Sequence, residues 1–457
     1  IPATLNTQYS STDRNITVAG DVSITGTLTG NASAISLGSL TINSGGTYSA
    51  TSGTTTLTKD DTSQFLYETI SGATFTNNDG TVLITGDGKL KPRAGTGNFH
   101  HLTINASGNT IDQSIALTCE GDLTITAGTL DTDSSNNYAL TVTGNASITG
   151  TLTGNASAIS MGSLTIASGG TYSATSGTTT MTSKNSSNYI MDLDGTFTHN
   201  NGTVRINSTG SGDQLVDLIP SSGTLYNLEI NENSSNPVQY NGNTTIANDL
   251  TIVEGIFQFF DNNNSNLTVT GDVSIEDGGQ LAASGWIGAG EFGTLTVNSG
   301  GTYSATSGTT TITKNSGGAV DNRAFYIHTG ATFNHNKGLI KFTASSPQVA
   351  ANSSGGTSTN HPFYDIENTA GTIQWKGEHN KVLNNATIRG SQFNGGTGNL
   401  TVLGICRITA GTFNDGDTSS SDNSFFQTLV IESGAAVDLS NLDITVGSLR
   451  NLGGTIQ

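Results

Sequence analysis

Acidic side chains that could bind a cation lie in two corresponding turns of the chain. Asp131 and Asp133 occur in "LDTDSSNNY", and Asp415, Asp417 and Asp422 occur in "FNDGDTSSSDN". Carboxylates two residues apart in a loop can ligate Ca²⁺, which prefers oxygen ligands. The corresponding stretch "FFDNNNSN" holds a single Asp, however. We therefore favour a solvated polar turn, in which Asp and Asn cap backbone groups, and keep a weak calcium site as the alternative.

The densest group of side chains suited to sugar chemistry lies in "IENTAGTIQWKGEHNK". Trp375 could stack on a sugar ring, while Glu378 and His379 could hydrogen-bond to its hydroxyls. Cleavage of a glycan also needs a second carboxylate nearby, and the sequence does not place one. We favour an irregular loop that interrupts regular strands, with glycan contact through these three residues as the alternative. No catalytic or cofactor-binding residue is assigned.

Two of the seven histidines occupy the same place in similar turns. His199 lies in "THNNG" and His335 in "NHNKG", where the first such turn has Asn77. No pair of histidines has the H-x-x-x-H spacing of a helical metal site. Because Asn can replace His at this position, the pattern predicts a role in the turn.

These side chains belong to a sequence typical of short strands and tight turns. The chain has 457 residues, of which 59 are Gly and only 11% are charged, against about 25% in an ordinary globular protein. Such a composition fits either disorder or a strand-rich fold with Gly and Asn at its turns. Regular alternation of apolar and polar residues, as in "ITVAGDVSITGTLTG" and "GDLTITAGTL", favours strands over disorder.

A long internal repeat organises the chain. Residues 140–180 match residues 16–56, and "GGTYSATSGTTT" recurs unchanged from Gly45, Gly169 and Gly300. Such self-similarity is typical of repeat architecture. The sequence predicts these segments: an N-terminal cap or attachment segment at 1–15, repeats at 16–139, 140–266 and 267–399, and a partial repeat at 400–457.

Short strands separated by Gly, Asn or Ser recur within each repeat. Two or three of them would form a coil of roughly 17 to 25 residues, and about 18 to 27 coils would stack. We therefore predict an all-β fold, a right-handed parallel β-helix (β-solenoid), with Leu40, Ile42, Leu57, Val82 and Ile84 inside. A string of Ig-like sandwiches is the alternative, but it needs longer strands and large core aromatics.

The recurring dodecamer is predicted to form one corner, strand and corner of a coil. Its tyrosines and alanines would occupy equivalent inward places in a narrow interior. These residues are Tyr48, Tyr172 and Tyr303, with Ala50, Ala174 and Ala305.

The segment "LTVTGNASITGTLTGNASAISMGSLTIASGGTYSATSGTTT" resembles the Gly-, Thr- and Asn-rich coils of secreted β-solenoid surface proteins. These include filamentous adhesins of bacteria and fibre proteins of bacteriophages. The resemblance covers the chain from about Ile16 to Gln457 and rests on composition and period. It implies a β-helix displayed outside a cell or on a virion, and it assigns no catalytic residue.

The charge of the chain argues against several partners. A formal net charge of −19 at pH 7 repels nucleic-acid phosphates and anionic membranes. No apolar run approaches the roughly 20 residues of a membrane span. We therefore expect neither nucleic-acid binding nor membrane insertion. Cys119 and Cys406 are predicted to be small buried apolar residues.

The sequence as a whole predicts a non-enzymatic, extracellular structural or adhesive rod, a subunit or shaft of a surface fibre or filament. The ending "GGTIQ" has no evident cap, which predicts contact there with missing sequence or with another chain, as in a homo-oligomer or filament joined through the rod ends. A cell-surface glycan is a candidate partner, and no cofactor is expected apart from the alternative Ca²⁺. Two other functions stay open: a polysaccharide-binding or polysaccharide-cleaving β-helix of tailspike type, and an ice-binding solenoid. An ice-binding surface would need nearly constant coil length and T-x-T at the same place in every coil.

Overall fold

The computed structural model of the chain consists of strands and turns and contains no helix among the residues it describes. The described residues are 1–93, 97–208, 214–218, 224–232, 237–259, 264–281, 286–316, 323–351, 362–376, 379–393, 399–415, 423–440 and 442–457. Just over half of the chain lies in strands, as predicted. Two compact units, Ile1–Tyr226 and Asn227–Gln457, divide the chain within the second predicted repeat.

The first unit contains strands β1 to β24 in chain order. Their bounds are Thr4–Asn6, Gln8–Tyr9, Thr12–Asp13, Ile16–Ile24, Thr27–Thr29, Ile35–Ile42, Thr47–Ser49, Thr54–Leu57, Asp60–Thr69, Thr74–Thr76, Thr81–Ile84, Asp87–Lys91, His101–Gln113, Leu117–Cys119, Leu123–Asp131, Leu140–Ile148, Thr151–Thr153, Ile159–Ile166, Thr171–Ser173, Thr178–Met181, Tyr189–Leu193, Thr196–Thr198, Thr203–Ile206 and Gln214–Leu218.

The second unit contains strands β25 to β48. Their bounds are Asn227–Asn231, Val238–Asn241, Thr244–Ile246, Leu250–Phe259, Leu267–Ile275, Gly279–Leu281, Gly290–Val297, Thr302–Ser304, Thr309–Ile312, Phe325–Ile327, Thr332–Asn334, Leu339–Phe342, Gln348–Ala350, Asp365–Asn368, Ile373–Trp375, His379–Val382, Ala386–Ile388, Ser391–Phe393, Asn399–Ile408, Gly411–Asp415, Asn423–Glu432, Ala435–Val437, Asp443–Leu452 and Thr455–Ile456.

Strands in each unit pair in parallel with strands one coil away. In the first unit Leu37, Leu57 and Ile84 stand on consecutive rungs of one face. In the second unit Leu250 and Val273 do the same. Parallel stacking of successive coils confirms the predicted β-solenoid.

Coil length varies more than the sequence predicted. Asp21 lies opposite Ser39, 18 residues later, whereas Ser304 lies opposite Asn334, 30 residues later. Part of this variation appears as register shifts within paired strands, since Asp87 pairs with Asp60 whereas Lys89 pairs with Phe65. The expected number of 18 to 27 coils stays a prediction for the chain as a whole.

The first fifteen residues, predicted as a cap or attachment segment, partly join the coil. Thr4–Asn6 pairs in parallel with Thr27–Thr29 and so adds one rung to a face. Gln8–Tyr9 and Thr12–Asp13 then form a short antiparallel pair, which is the exception to the parallel pairing of the named strands described in this unit.

The predicted inward residues form the core. Leu40, Ile42, Leu57, Val82 and Ile84 are buried, and each such side chain contributes about 1.5–3 kcal/mol by leaving water. Their counterparts and the residues of the dodecamer are buried as well: Leu164, Ile166, Leu295, Val297, Tyr48, Tyr172, Tyr303, Ala50, Ala174 and Ala305.

Aromatic rings stack from coil to coil in the interior, which the sequence had predicted to be narrow and filled by small residues. In the second unit the rings of Tyr303 and Phe333 are 5.8 Å apart and nearly parallel. Phe325 lies edge-on to Phe333, with ring centroids 5.6 Å apart. Because parallel register places one aromatic above the next, these contacts add to the energy of simple burial.

Glycines allow strands to bend against the coil below. Gly38 divides Ile35–Ile42 so that Leu37 and Leu40 belong to different faces, which pair with different strands. A Cβ at Gly38 would lie 2.6 Å from the carbonyl oxygen of Gly20. Any larger residue would therefore push successive coils apart at this corner.

Equivalent residues of the first two sequence repeats lie on different faces of the solenoid. One face of the first unit carries this column of stacked residues: Leu37, Leu57, Ile84, Ile104, Ile125, Ile148 and Ile166. Ile166 is the counterpart of Ile42 in the sequence repeat, yet it stands in the column of Leu37. One repeat therefore spans a non-integral number of coils, and the dodecamers beginning at Gly45 and Gly169 lie on different faces.

Candidate functional site

The acidic turn at Asp131 and Asp133 is held by its own hydrogen bonds. Oδ1 of Asp131 accepts two hydrogen bonds, one from the backbone N–H of Asp133 and one from Nδ2–H of Asn155, both at 2.7 Å. Oδ1 of Asp133, whose backbone has a φ of 65°, accepts the N–H of Ser135 at 2.8 Å. This hydrogen bond is the main cause that lowers the pKa of Asp133. Both carboxylates thus cap the turn, and calcium binding there stays a prediction.

The second acidic turn falls largely outside the described residues. Asp417 and Asp422 lie there, and of Asp415 only the backbone, at the end of Gly411–Asp415, is described. Among the described residues, no group of three or more His, Cys, Asp or Glu side chains could hold a metal ion.

Asp112 is a carboxylate near Asp131 that sequence reasoning missed. The two residues are register partners on adjacent coils. Burial raises the pKa of Asp112, and the charge of Asp131 raises it further. No local motif links residues in this way, because their proximity depends on the length of the coil between them.

Trp375, the candidate for sugar stacking in the alternative interpretation, lies inside the coil on the strand Ile373–Trp375. Its side chain is 1% exposed, and its Nε1–H donates to Oγ of Ser391 at 2.7 Å. An indole in this position presents no ring face to a ligand outside the coil. Glu378 and the side chain of His379 lie outside the described residues, so their contact with a glycan stays a prediction.

The tyrosine of the recurring dodecamer makes the same buried contact in all three copies. The hydroxyl groups of Tyr48, Tyr172 and Tyr303 lie 2.7, 2.8 and 2.8 Å from Oγ1 of the threonine seven residues later. These threonines are Thr55, Thr179 and Thr310. A buried hydroxyl needs such a partner, which explains why both residue types recur together.

The rest of the dodecamer forms its two corners. Gly45 has a φ of 78°, a conformation that favours glycine. Oγ1 of Thr51 accepts the N–H of Gly53 at 2.9 Å, and the second and third copies repeat this contact at the same distance. The side chains of the dodecamer thus serve mainly the coil itself.

The two equivalent histidines complete turns, as predicted. Nδ1 of His199 accepts the N–H of Asn201, and Nδ1 of His335 accepts the N–H of Lys337, both at 2.9 Å. In the first copy Oδ1 of Asn77 accepts the corresponding N–H. This explains why Asn and His exchange at this position.

Each of these histidines also stacks on a tyrosine from the next coil. The rings of His199 and Tyr226 are 5.2 Å apart, and those of His335 and Tyr364 are 5.5 Å apart. The tyrosines are only partly buried. Each turn therefore presents a small aromatic surface beside polar groups.

A groove of about 620 Å³ opens beside the third of these turns, in the second unit. Its lining includes Trp286, Phe333, Asn334, His335, Asn336 and Lys337. Hydrogen-bond donors and aromatic carbon meet here, which makes the groove the strongest candidate site among the described residues.

Threonines form two outward rows in the first unit. Thr4, Thr27, Thr47 and Thr74 stack on one face. The other row, on a different face, consists of Thr110, Thr129, Thr151, Thr171 and Thr196. The T-x-T pattern is incomplete within these rows, since Asp112 and Asp131 replace a threonine in the second.

The two cysteines are buried, as predicted. Burial raises the pKa of each thiol to about 12. Both sulfurs therefore stay protonated at neutral pH and are poor nucleophiles.

No helix among the described residues is long and apolar enough to cross a bilayer. No protein-family model, curated protein or solved structure matches the chain.

Proposed function

We propose that the protein is a non-enzymatic structural or adhesive β-solenoid. The observation that carries this proposal is the tripled dodecamer, whose side chains form buried hydrogen bonds and corners in each copy. A stretch preserved for ligand binding would instead keep outward groups free of such structural contacts. Repetition of a coil-building unit is what a protein selected for length and display requires.

We further propose an extracellular location, on a cell or a virion, as part of a fibre or filament. Strong negative charge and a polar surface rich in Thr, Ser and Asn keep such a protein soluble and separate from membranes. Apolar side chains are nevertheless exposed on the last strands, where Leu449 is 50% and Leu452 58% exposed. Contact with another copy, or with sequence that continues beyond Gln457, would cover them, and we propose the first of these, a homo-oligomer.

Immunogold electron microscopy of the native source tests this proposal. Antibodies against the purified chain should label surface fibres or the exterior of particles. Label confined to the cell interior would contradict the extracellular role. Incubation with a panel of polysaccharides should release no reducing ends; release that the purified chain catalyses would favour the tailspike alternative.

A further inference from the structure

The groove in the second unit differs from the equivalent corners of the first two copies. The second serine of each dodecamer donates its backbone N–H to a carbonyl oxygen of the adjacent coil. The residues that supply this oxygen are therefore equivalent: Asn31, Asn155 and Trp286. Trp286 therefore replaces an asparagine. Its indole is buried, stacks on Phe259 at 4.8 Å and forms part of the groove wall.

A second difference lies in the histidine turn. Its third residue is Asp79 in the first copy, Asn201 in the second and Lys337 in the third. The two residues that differ from the earlier copies, Trp286 and Lys337, both line the same groove, although the indole itself is buried. No described carboxylate forms an ion pair with Lys337, whose side chain is exposed.

The neighbouring polar groups are oriented by the turn. Because Nδ1 of His335 accepts the N–H of Lys337, the neutral ring carries its proton on Nε2. Burial lowers the pKa of His335, and Lys337 lowers it further, which favours this neutral form. Nδ2 of Asn336 donates to the carbonyl oxygen of Ala305 at 2.8 Å, which leaves its Oδ1 as an acceptor.

We propose that this groove binds an acidic saccharide, a sugar chain that carries carboxylate groups. Lys337 would pair with a carboxylate, while Nε2–H of His335 and Oδ1 of Asn336 would bind hydroxyls. The rings of His335, which is held by stacking on Tyr364, and of Pro362 offer carbon surface to the sugar. The volume lies within the roughly 300–1,000 Å³ of typical ligand pockets. This inference rests on the proposed adhesive role and names its ligand class.

The net negative charge of the chain does not prevent such binding. Charges farther away than about 8 Å are largely screened at physiological ionic strength. Among the described lining residues Lys337 is the one cation and no side chain is a carboxylate, so these residues favour an anionic group. Affinity should consequently fall as salt is added.

The test uses calorimetric titration of the full chain with a galacturonic-acid oligomer and with its methyl-esterified form. The variants borrow residues from equivalent turns of the same chain: Lys337→Asn from the second copy and His335→Asn from the first. His199→Asn, in the equivalent turn of the second copy, is the matched control. Circular dichroism melting checks that each variant folds.

The acidic oligomer should bind, and the esterified oligomer should bind about two- to fivefold more weakly, since the loss of one exposed charge pair costs about this factor. Lys337→Asn should remove that preference. His335→Asn should weaken both ligands, and His199→Asn should change neither.

Absence of binding to the acidic oligomer would overturn the inference, and so would equal affinity for the esterified oligomer. Binding that is unchanged in both Lys337→Asn and His335→Asn would overturn the assignment to this groove. Immunogold labelling of surface fibres is independent of these results. A failure to bind the acidic oligomer would therefore leave the proposed structural role unaffected. Immunogold label confined to the cell interior would instead contradict that role.

Discussion

The buried tyrosine–threonine pair is the residue-scale feature that recurs most faithfully. Replacing Tyr172 by Phe would leave the hydroxyl of Thr179 without its partner inside the coil. We expect a loss of about 1–3 kcal/mol in the free energy of unfolding, measured by urea denaturation followed by circular dichroism. Adding Thr179→Val should recover part of the loss. A double variant less stable than the sum of both single changes would contradict this account.

The alanine and serine beside this tyrosine should respond in opposite ways. Ala174 is buried, so Ala174→Leu should overpack the coil and cost ~1–3 kcal/mol. Ser173 faces outward, and its Oγ accepts a hydrogen bond from the exposed Asn200, so Ser173→Ala should cost within about 0.5 kcal/mol. Thermal and urea denaturation of both variants provide the comparison. The reverse order, together with loss of ligand binding in Ser173→Ala, would identify the dodecamer as a binding epitope.

The paired carboxylates on adjacent coils predict a dependence of stability on pH. The pKa of Asp112 is raised in the folded protein, so the native state holds this proton more tightly than the unfolded chain does. Stability should fall as pH rises from the ordinary pKa of 3.8 through the raised value. Asp112→Asn should therefore raise the melting temperature at neutral pH and leave it unchanged near roughly pH 3.

Asp133→Asn is the matched control, because the pKa of Asp133 is lowered in the folded protein. Its ionised form contributes stability that is present above the unfolded pKa and is lost as pH falls through the folded pKa. This substitution should lower the melting temperature at neutral pH. A decrease of similar size for Asp112→Asn would contradict the assignment of Asp112 as a destabilising charge.

At the scale of elements, the glycine corners decide how closely coils approach. A Cβ at Gly162 would lie 2.4 Å from the carbonyl oxygen of Gly144, whereas one at Gly20, the first-repeat counterpart of Gly144, would meet nothing within 4 Å. Gly162→Ala should therefore destabilise the protein by about 1–3 kcal/mol, like other overpacking changes. Gly20→Ala should change stability little. Equal melting temperatures for the two variants would refute a steric role for this corner.

Strands and corners could be predicted from sequence because both depend on neighbouring residues. The inward positions of Leu40 and Ile42 follow from alternation alone. The length of each coil could not be predicted, since residues added between paired segments lengthen a coil without altering the alternation within those segments. Trp375 was misleading for a related reason: its polar neighbours suggest a surface loop, although the indole lies in the core.

Contacts between side chains on different coils could not be predicted from the sequence either. Nζ of Lys59 lies 2.8 Å from Oδ1 of Asp21, 38 residues earlier. In the second repeat the same two positions are Ser183 and Asn145. The second repeat thus lacks both the positive and the negative charge of this ion pair. Only the register shows that the two changes concern the same contact.

At the scale of the molecule, the proposed homo-oligomer predicts that the exposed apolar residues of the last strands contact another copy. Leu449 and Leu452 lie on Asp443–Leu452, which pairs with Asn423–Glu432. Leu449→Lys combined with Leu452→Lys should shift the protein toward monomer in sedimentation velocity at matched concentration, because association would bury these charges. Leu403→Lys, at a residue 43% exposed elsewhere in the second unit, is the control. Association that persists in the double variant would place the contact elsewhere.

The change of face between the first two repeats has a consequence for how such a chain can grow by duplication. A duplicated segment that ends partway round a coil still continues the stack, because each face accepts the strand and corner of another. Growth is thus possible in steps of a single strand, and each added strand also moves the residues beyond it to the next face. Identical outward residues, such as Thr47 and Thr171, consequently look out in different directions. A single duplication event can in this way multiply a surface feature around the circumference, so that it meets a partner approaching from more than one side.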